Sequence, residues 1–195
     1  SNPLDTWNVV FDTFRPIMRI APMHFVVGNH EYDEYIQFAD QDEYEGQYEF
    51  EQMYVRLFGQ QGEPIEPFDY HAFTWGPLRF VLLNSEEGFG NDDSPQMAWL
   101  REELTRADSD PDIAHTVVCF HRPFYTFSRS RPSLTTRGVL DAIFREHDVR
   151  LVLTGHNHCY ERFDVDGLTY VVDGGGGALL YNVDDHLEDA RVERP

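Results

Sequence analysis

Three short apolar runs in this chain each stop at an imidazole or a carboxamide. HFVV ends in Gly28-Asn29-His30-Glu31, TVVCF ends in His121, and LVL ends in Thr154-Gly155-His156-Asn157-His158. Short apolar runs bounded by glycine and polar residues read as buried strands. Strands that release polar groups at their carboxyl ends constrain the fold, because open α/β sheets bind their ligands along that edge. A lone H-x-H pair is a weak signal. Three strand ends bearing such groups together read as one site.

The segments between these runs fit the same scheme. DTWNVVFDTFRPIM places Trp7, Val10, Phe11, Phe14, Ile17 and Met18 at helical spacing, with Asp5 as the expected N-cap. FDYHAFTWGPLRFVLLNSE reads as a hairpin that turns at Trp75-Gly76-Pro77. SPQMAWLREELTRA opens with Ser94 as N-cap and Pro95 at the first helical position. TRGVLDAIFREHD is a helix with Val139, Leu140, Ile143 and Phe144 on one face, and LTYVVDGGGGALLY holds a further strand. Strands alternating with helices indicate an α/β layered fold, with antiparallel strands added by the hairpin. At 195 residues, one domain with a proper core is the economical reading.

Composition narrows the function. The net charge is −20, and all 15 basic residues are arginine. So acidic a surface repels nucleic acid and anionic membrane, which excludes polyanion binding as the main task. No run approaches the roughly 18 apolar residues of a membrane span, and no signal peptide is visible at the first residues. Compartment stays open, with a secreted or periplasmic setting allowed. Cys119 and Cys159, 40 residues apart in apolar or motif context, are expected to be buried free thiols.

Neutral imidazole together with an Asn oxygen makes a mixed nitrogen and oxygen ligand set suited to zinc, iron or manganese, so Asn29, His121, His156 and His158 are the candidate metal ligands. Other H-x-H sites fit less well. The metallo-β-lactamase pattern H-x-H-x-D-H needs Asp and His where this chain has Tyr160 and Glu161, and a structural zinc site wants cysteine pairs that are missing.

On G-N-H-E at 28–31, H-x-P-F-Y at 121–125 and G-H-x-H-x-Y-E-R at 155–162, the chain resembles the calcineurin-like metallophosphoesterases, in particular the purple acid phosphatase branch. Weaker companions are Leu83-Asn84-Ser85, Gln96 with Trp99-Leu100, and Gly174–Ala178, so the likeness runs over roughly residues 5–181. It implies a layered β-sandwich flanked by helices, two metal ions (iron, zinc or manganese), a bridging hydroxide as nucleophile and a phosphorylated substrate. By the same resemblance Asn29, His121 and His156 would hold one metal and His158 the other. His30 would contact phosphate or protonate the leaving alkoxide, a role that suits an imidazole titrating near neutrality.

Four ligands cannot fill two coordination spheres, and the family's bridging carboxylate comes from upstream D-x-H or D-x-G and G-D motifs that do not precede Asn29. Residues 1–195 are therefore expected to form a single incomplete domain without the first βαβ portion, and to be inactive alone. The alternative is a non-catalytic phosphate- or metal-binding module that retains the fold.

Several further features carry weaker expectations. Residues 113–140 lack Asp and Glu yet hold Arg122, Arg129, Arg131 and Arg137. Arg129 or Arg131 either contacts substrate phosphate through its fork of donors or pairs with the acidic surface. Nine acidic residues crowd 31–51, but an EF-hand frame from Asp40 fails at Glu45, where glycine is needed, so a solvated insertion is expected. Gly174–Gly177 lacks the Lys-Ser or Lys-Thr of a phosphate loop and reads as a turn, capped by Asp173. His24, His71, His115, His147 and His186 read as structural or surface residues. Glu161 and Arg162 are expected to brace the loop of His156 and His158.

Overall fold

The computed structural model describes residues 3–29, 70–128 and 136–183. The chain divides into two compact units, one of residues 1–25 and 29–68, the other of residues 26–28 and 69–195. In the first, helix α1 (Pro3–Met18) opens two residues before the expected Asp5 cap. Proline suits the first helical position, where its missing N–H has no partner to lose. Val10 and Phe11 are half-buried, while Phe14, Ile17 and Met18 are exposed.

The second unit is built on one sheet. The hairpin forms as its sequence indicates, with β1 (His71–Trp75) antiparallel to β2 (Leu78–Leu82) and Gly76 at φ 55° in the turn. Helix α2 (Pro95–Ser109) leads to β3 (His115–Cys119), and helix α3 (Arg137–Glu146) leads to β4 (Leu151–Thr154). Two further strands, β5 (Tyr160–Val165) and β6 (Leu168–Asp173), complete the order β1-β2-β3-β4-β6-β5. The pairs β2–β3, β3–β4 and β4–β6 are parallel, and both outer pairs are antiparallel. This six-stranded sheet with its helices matches the expected α/β fold class.

Four parallel strands thus end along one edge. Hydrogen bonding continues past the strands there, from Leu83 N–H to the Cys119 carbonyl at 2.8 Å and from Gly155 N–H to the His121 carbonyl at 3.0 Å. Val81 and Leu83 from β2 and its end, Met97, Leu100 and Leu104 from α2, Val118 and Phe120, Leu140, Ile143 and Phe144 from α3, Val152, and Tyr170 and Val172 form one core cluster. Val139 differs from expectation. It lies at 39% exposure, because only the 140, 143, 144 stripe of α3 reaches this core.

Two polar devices fix α2. The Ser94 hydroxyl accepts from Met97 N–H at 3.3 Å and donates to the Gly88 carbonyl at 2.8 Å, as the capping sequence indicates. Glu103, 2% exposed, accepts from Arg79 Nε of β2 at 2.7 Å and also pairs with Arg106. A buried carboxylate is tolerable only when so paired.

Two strand expectations need correction. Residues 24–27 are not a strand. Val27 is buried, yet the segment lies outside the six strands of the sheet, so its burial does not come from strand pairing in that sheet. Conversely, β5 was not anticipated. The Asp166-Gly167 dipeptide, with φ of 51° and 84°, makes the turn that joins it to β6, and Asp-Gly is a strong hairpin signal.

Candidate metal centre

The site is built from the ends of β3, β4 and β6. Beyond β3 the chain runs to His121, whose ring lies flat against the backbone at Gly28. A Cβ added to Gly28 would stand 2.8 Å from the His121 Cγ, so only glycine allows this approach. Beyond β4, Gly155-His156-Asn157 closes a tight turn in which Asn157 N–H bonds to the Gly155 carbonyl at 2.6 Å. His156 holds φ 62°, a γ-turn of the rare and strained kind. Beyond β6, Gly174 packs on that turn so closely that a Cβ would meet the Asn157 carbonyl oxygen at 2.0 Å.

This arrangement brings two imidazoles together. His156 Nδ1 lies 3.0 Å from His121 Nε2, with the rings nearly perpendicular and 4.9 Å between centroids. Two nitrogens binding one cation at about 2.1 Å, and about 90° apart, stand roughly 3.0 Å from each other. The pair therefore fits two adjacent positions of one coordination sphere. Arg122 Nη1 lies 3.3 Å from His156 Nε2. A guanidinium only donates, so Nε2 accepts and the ring proton sits on Nδ1, facing His121. A cation would take that proton's place, since ligating histidine binds through a lone pair. With a cation at Nδ1 the ring proton would reside on Nε2, where Arg122 could no longer donate to it.

His158 stands apart from this pair in its bonding. Its Nδ1 donates to the Leu179 carbonyl at 3.0 Å, and its ring stacks on Tyr181 with 4.4 Å between centroids. With the proton so placed, the lone pair is left on Nε2, the orientation in which a backbone carbonyl supports a metal-binding histidine. Among the described residues, no three His, Cys, Asp or Glu side chains are gathered as a cation would need. Asn29 is buried and belongs to the first unit. His30, Arg129, Arg131, His186 and the acidic stretch 31–51 lie outside the described residues.

The braces differ from expectation in detail. Glu161 is buried on β5. It accepts from the Thr126 hydroxyl and the Phe127 N–H, each at 2.7 Å, and from Cys159 Sγ at 3.4 Å. It thus ties the loop after His121 to the H-x-H turn. Arg162 alternates to the exposed face of β5 and shares none of these bonds. Two residues missed in the sequence belong here. Thr126 accepts from Asn157 Nδ2 at 2.7 Å, and Glu86 chelates Arg122 Nε with both oxygens, at 2.8 and 3.0 Å. Both cysteines are free thiols, Cys159 buried and Cys119 partly so, and burial pushes each up to about 12.

A family model for calcineurin-like phosphoesterase matches residues 5–160. "Probable inactive purple acid phosphatase 9" of Arabidopsis thaliana is 26% identical over 177 residues, covering 80% of this chain and 27% of the relative. "Purple acid phosphatase 23" of the same plant is 29% identical over 120 residues, covering 56% of this chain and 26% of the relative. Among solved structures, purple acid phosphatase PPD1 from yellow lupin seeds superposes with a TM-score of 0.58 at 19% identity, covering 71% of this chain and 28% of that one. The chain spans about a quarter of the length of these relatives.

Proposed function

Because the chain belongs to the calcineurin-like phosphoesterase family, with relatives in the purple acid phosphatase branch, we propose that it supplies part of a metal-dependent phosphoric ester hydrolase. The observation that carries this reading is the His121–His156 pair, whose facing nitrogens stand 3.0 Å apart at the ends of adjacent parallel strands. In this reading both present lone pairs to one cation, and His158 offers Nε2 to a second. The G-N-H-E motif adds Asn29 as a further ligand of the first and His30 as the imidazole that gives its proton to the departing ester oxygen. Two cations, when bound, would supply the nucleophile by lowering the pKa of water into the neutral range. Their identity stays open among iron, zinc and manganese. The reading requires further ligands, a bridging carboxylate among them. Glu161 and Thr126 hold the two histidine-bearing loops in register, and Gly28 and Gly174 leave room for the backbone to approach them.

A second reading is a module that binds metal or phosphate without turnover. It is favoured by the relative named as inactive. One assay separates them. The full-length protein is given an aryl phosphate and its diester with added zinc or manganese, and metal content is measured. Turnover that a chelator abolishes supports the hydrolase, and metal bound without turnover supports the module. No metal and no turnover sinks the hydrolase and the metal-binding form of the module.

A further inference from the structure

Near the histidines, one half-buried hydroxyl joins several parts of the site. Thr126 Oγ1 donates to Glu161 Oε2 at 2.7 Å and accepts from Asn157 Nδ2 at 2.7 Å and from Ser128 N–H at 2.9 Å. Each partner belongs to a different part of the centre. Asn157 is fully buried and lies between His156 and His158 in the strained turn. Glu161 also holds the Phe127 N–H, in the loop that leaves His121. Ser128 bridges to Val183, on the strap carrying the Leu179 carbonyl and the Tyr181 ring that fix His158. The Tyr181 N–H closes that strap on the His158 carbonyl at 2.7 Å. A solvated loop threonine has no such set of partners.

We propose that Thr126 is a positioning residue for cation binding. Its hydroxyl locks the H-x-H turn to the loop of His121 and to the strap behind His158, and so sets how the His121–His156 pair and His158 each present their nitrogens to metal. The inference rests on the metal-binding reading above. It adds that the geometry of the ligands depends on a group that touches neither metal nor substrate. Outer partners of this kind change metal affinity by about 10- to 100-fold when removed.

The test uses the full-length protein with Thr126→Val, which keeps the shape and removes the hydroxyl, and Thr126→Ser, which restores it. Zinc affinity is titrated against a competing chelator at a temperature where circular dichroism shows each protein folded, and kcat and KM are measured on an aryl phosphate. Thr126→Val is expected to bind zinc at least about tenfold more weakly. Its kcat should fall at limiting metal while KM for the ester stays, and Thr126→Ser should recover both. Wild-type zinc affinity in folded Thr126→Val overturns the proposal. If that variant does not fold, Asn157→Ala removes the opposite donor and carries the same expectation, with unchanged affinity again overturning it. Failure of the wild type to bind any metal would instead remove the functional reading itself.

Discussion

A histidine held at φ 62° in a γ-turn costs of order 1–3 kcal/mol, and such strain persists only where the surroundings over-determine it. At His156 those surroundings are the Asn157 bond to Thr126 and the backbone of Gly174. Gly174→Ala would drive a Cβ into the Asn157 carbonyl, and backbone on both sides cannot yield as a side chain can. The substitution is expected to lower stability by about 1–3 kcal/mol and to weaken zinc binding with it, as urea melts and a chelator titration would show. Retained wild-type stability would mean that the close approach is not needed. In the sequence, Gly174 begins a run of four glycines and reads as a loose turn. Its reason lies in a carbonyl on another loop, which no local pattern records. Cys159 offers a second check. Burial raises its thiol from 9.0 to about 12, with the Glu161 carboxylate adding to the effect, so the folded chain keeps this proton to higher pH than the unfolded chain. The stabilising contribution is complete below 9.0 and is lost as pH rises toward 12. Thiol reagents at neutral pH should therefore modify Cys159 only as fast as the protein opens. Rapid modification of the folded protein would contradict that.

The elements were legible where a local signal fixes them. Ser94-Pro95 marks the start of α2, and Ser94→Ala is expected to cost about 1 kcal/mol in a denaturant melt. Gln96 shows what the pattern hides. Its side-chain amide accepts from Asn84 N–H at 2.7 Å and donates to the Asn84 carbonyl at 2.9 Å, holding the end of β2 as a neighbouring strand would. Gln96→Ala strands two buried backbone groups and should cost about 2 kcal/mol or more, well beyond the loss of a surface glutamine. A melt unchanged from wild type would show water replacing it. The hairpin β5–β6 was missed because Y-E-R was read as motif and not as strand. Yet Glu161, Phe163 and Val165 alternate inward with period two. The apolar run at 24–27 reads as a strand because apolar content reports burial, whereas membership of the sheet depends on tertiary placement that composition does not reveal.

At the scale of the whole molecule, the sheet order turns three separated sequence motifs into one edge. Parallel pairing of β3 with β4 puts His121 beside Gly155, and pairing of β4 with β6 puts the glycine turn beside the H-x-H turn. The strand ends at His121 and at 155–158 were legible in the sequence, whereas the run before Gly28 is not a strand, and the 3.0 Å between imidazoles and the bonds of Thr126 and Glu86 required the fold. With a net charge of −20 around it, a phosphate-binding site depends on local positive charge, and metal ions are the compact way to provide it. In this account His121 and His156 bind the same cation. That is tested most directly by zinc affinities of the full-length protein, the single variants His121→Ala and His156→Ala, and the double variant. Ligands of one ion should couple, so each single variant loses much of the affinity and the double loses little more, a departure from additivity of about 1 kcal/mol or greater. Affinities that fall additively, or that stay at the wild-type value in either single variant, would contradict it.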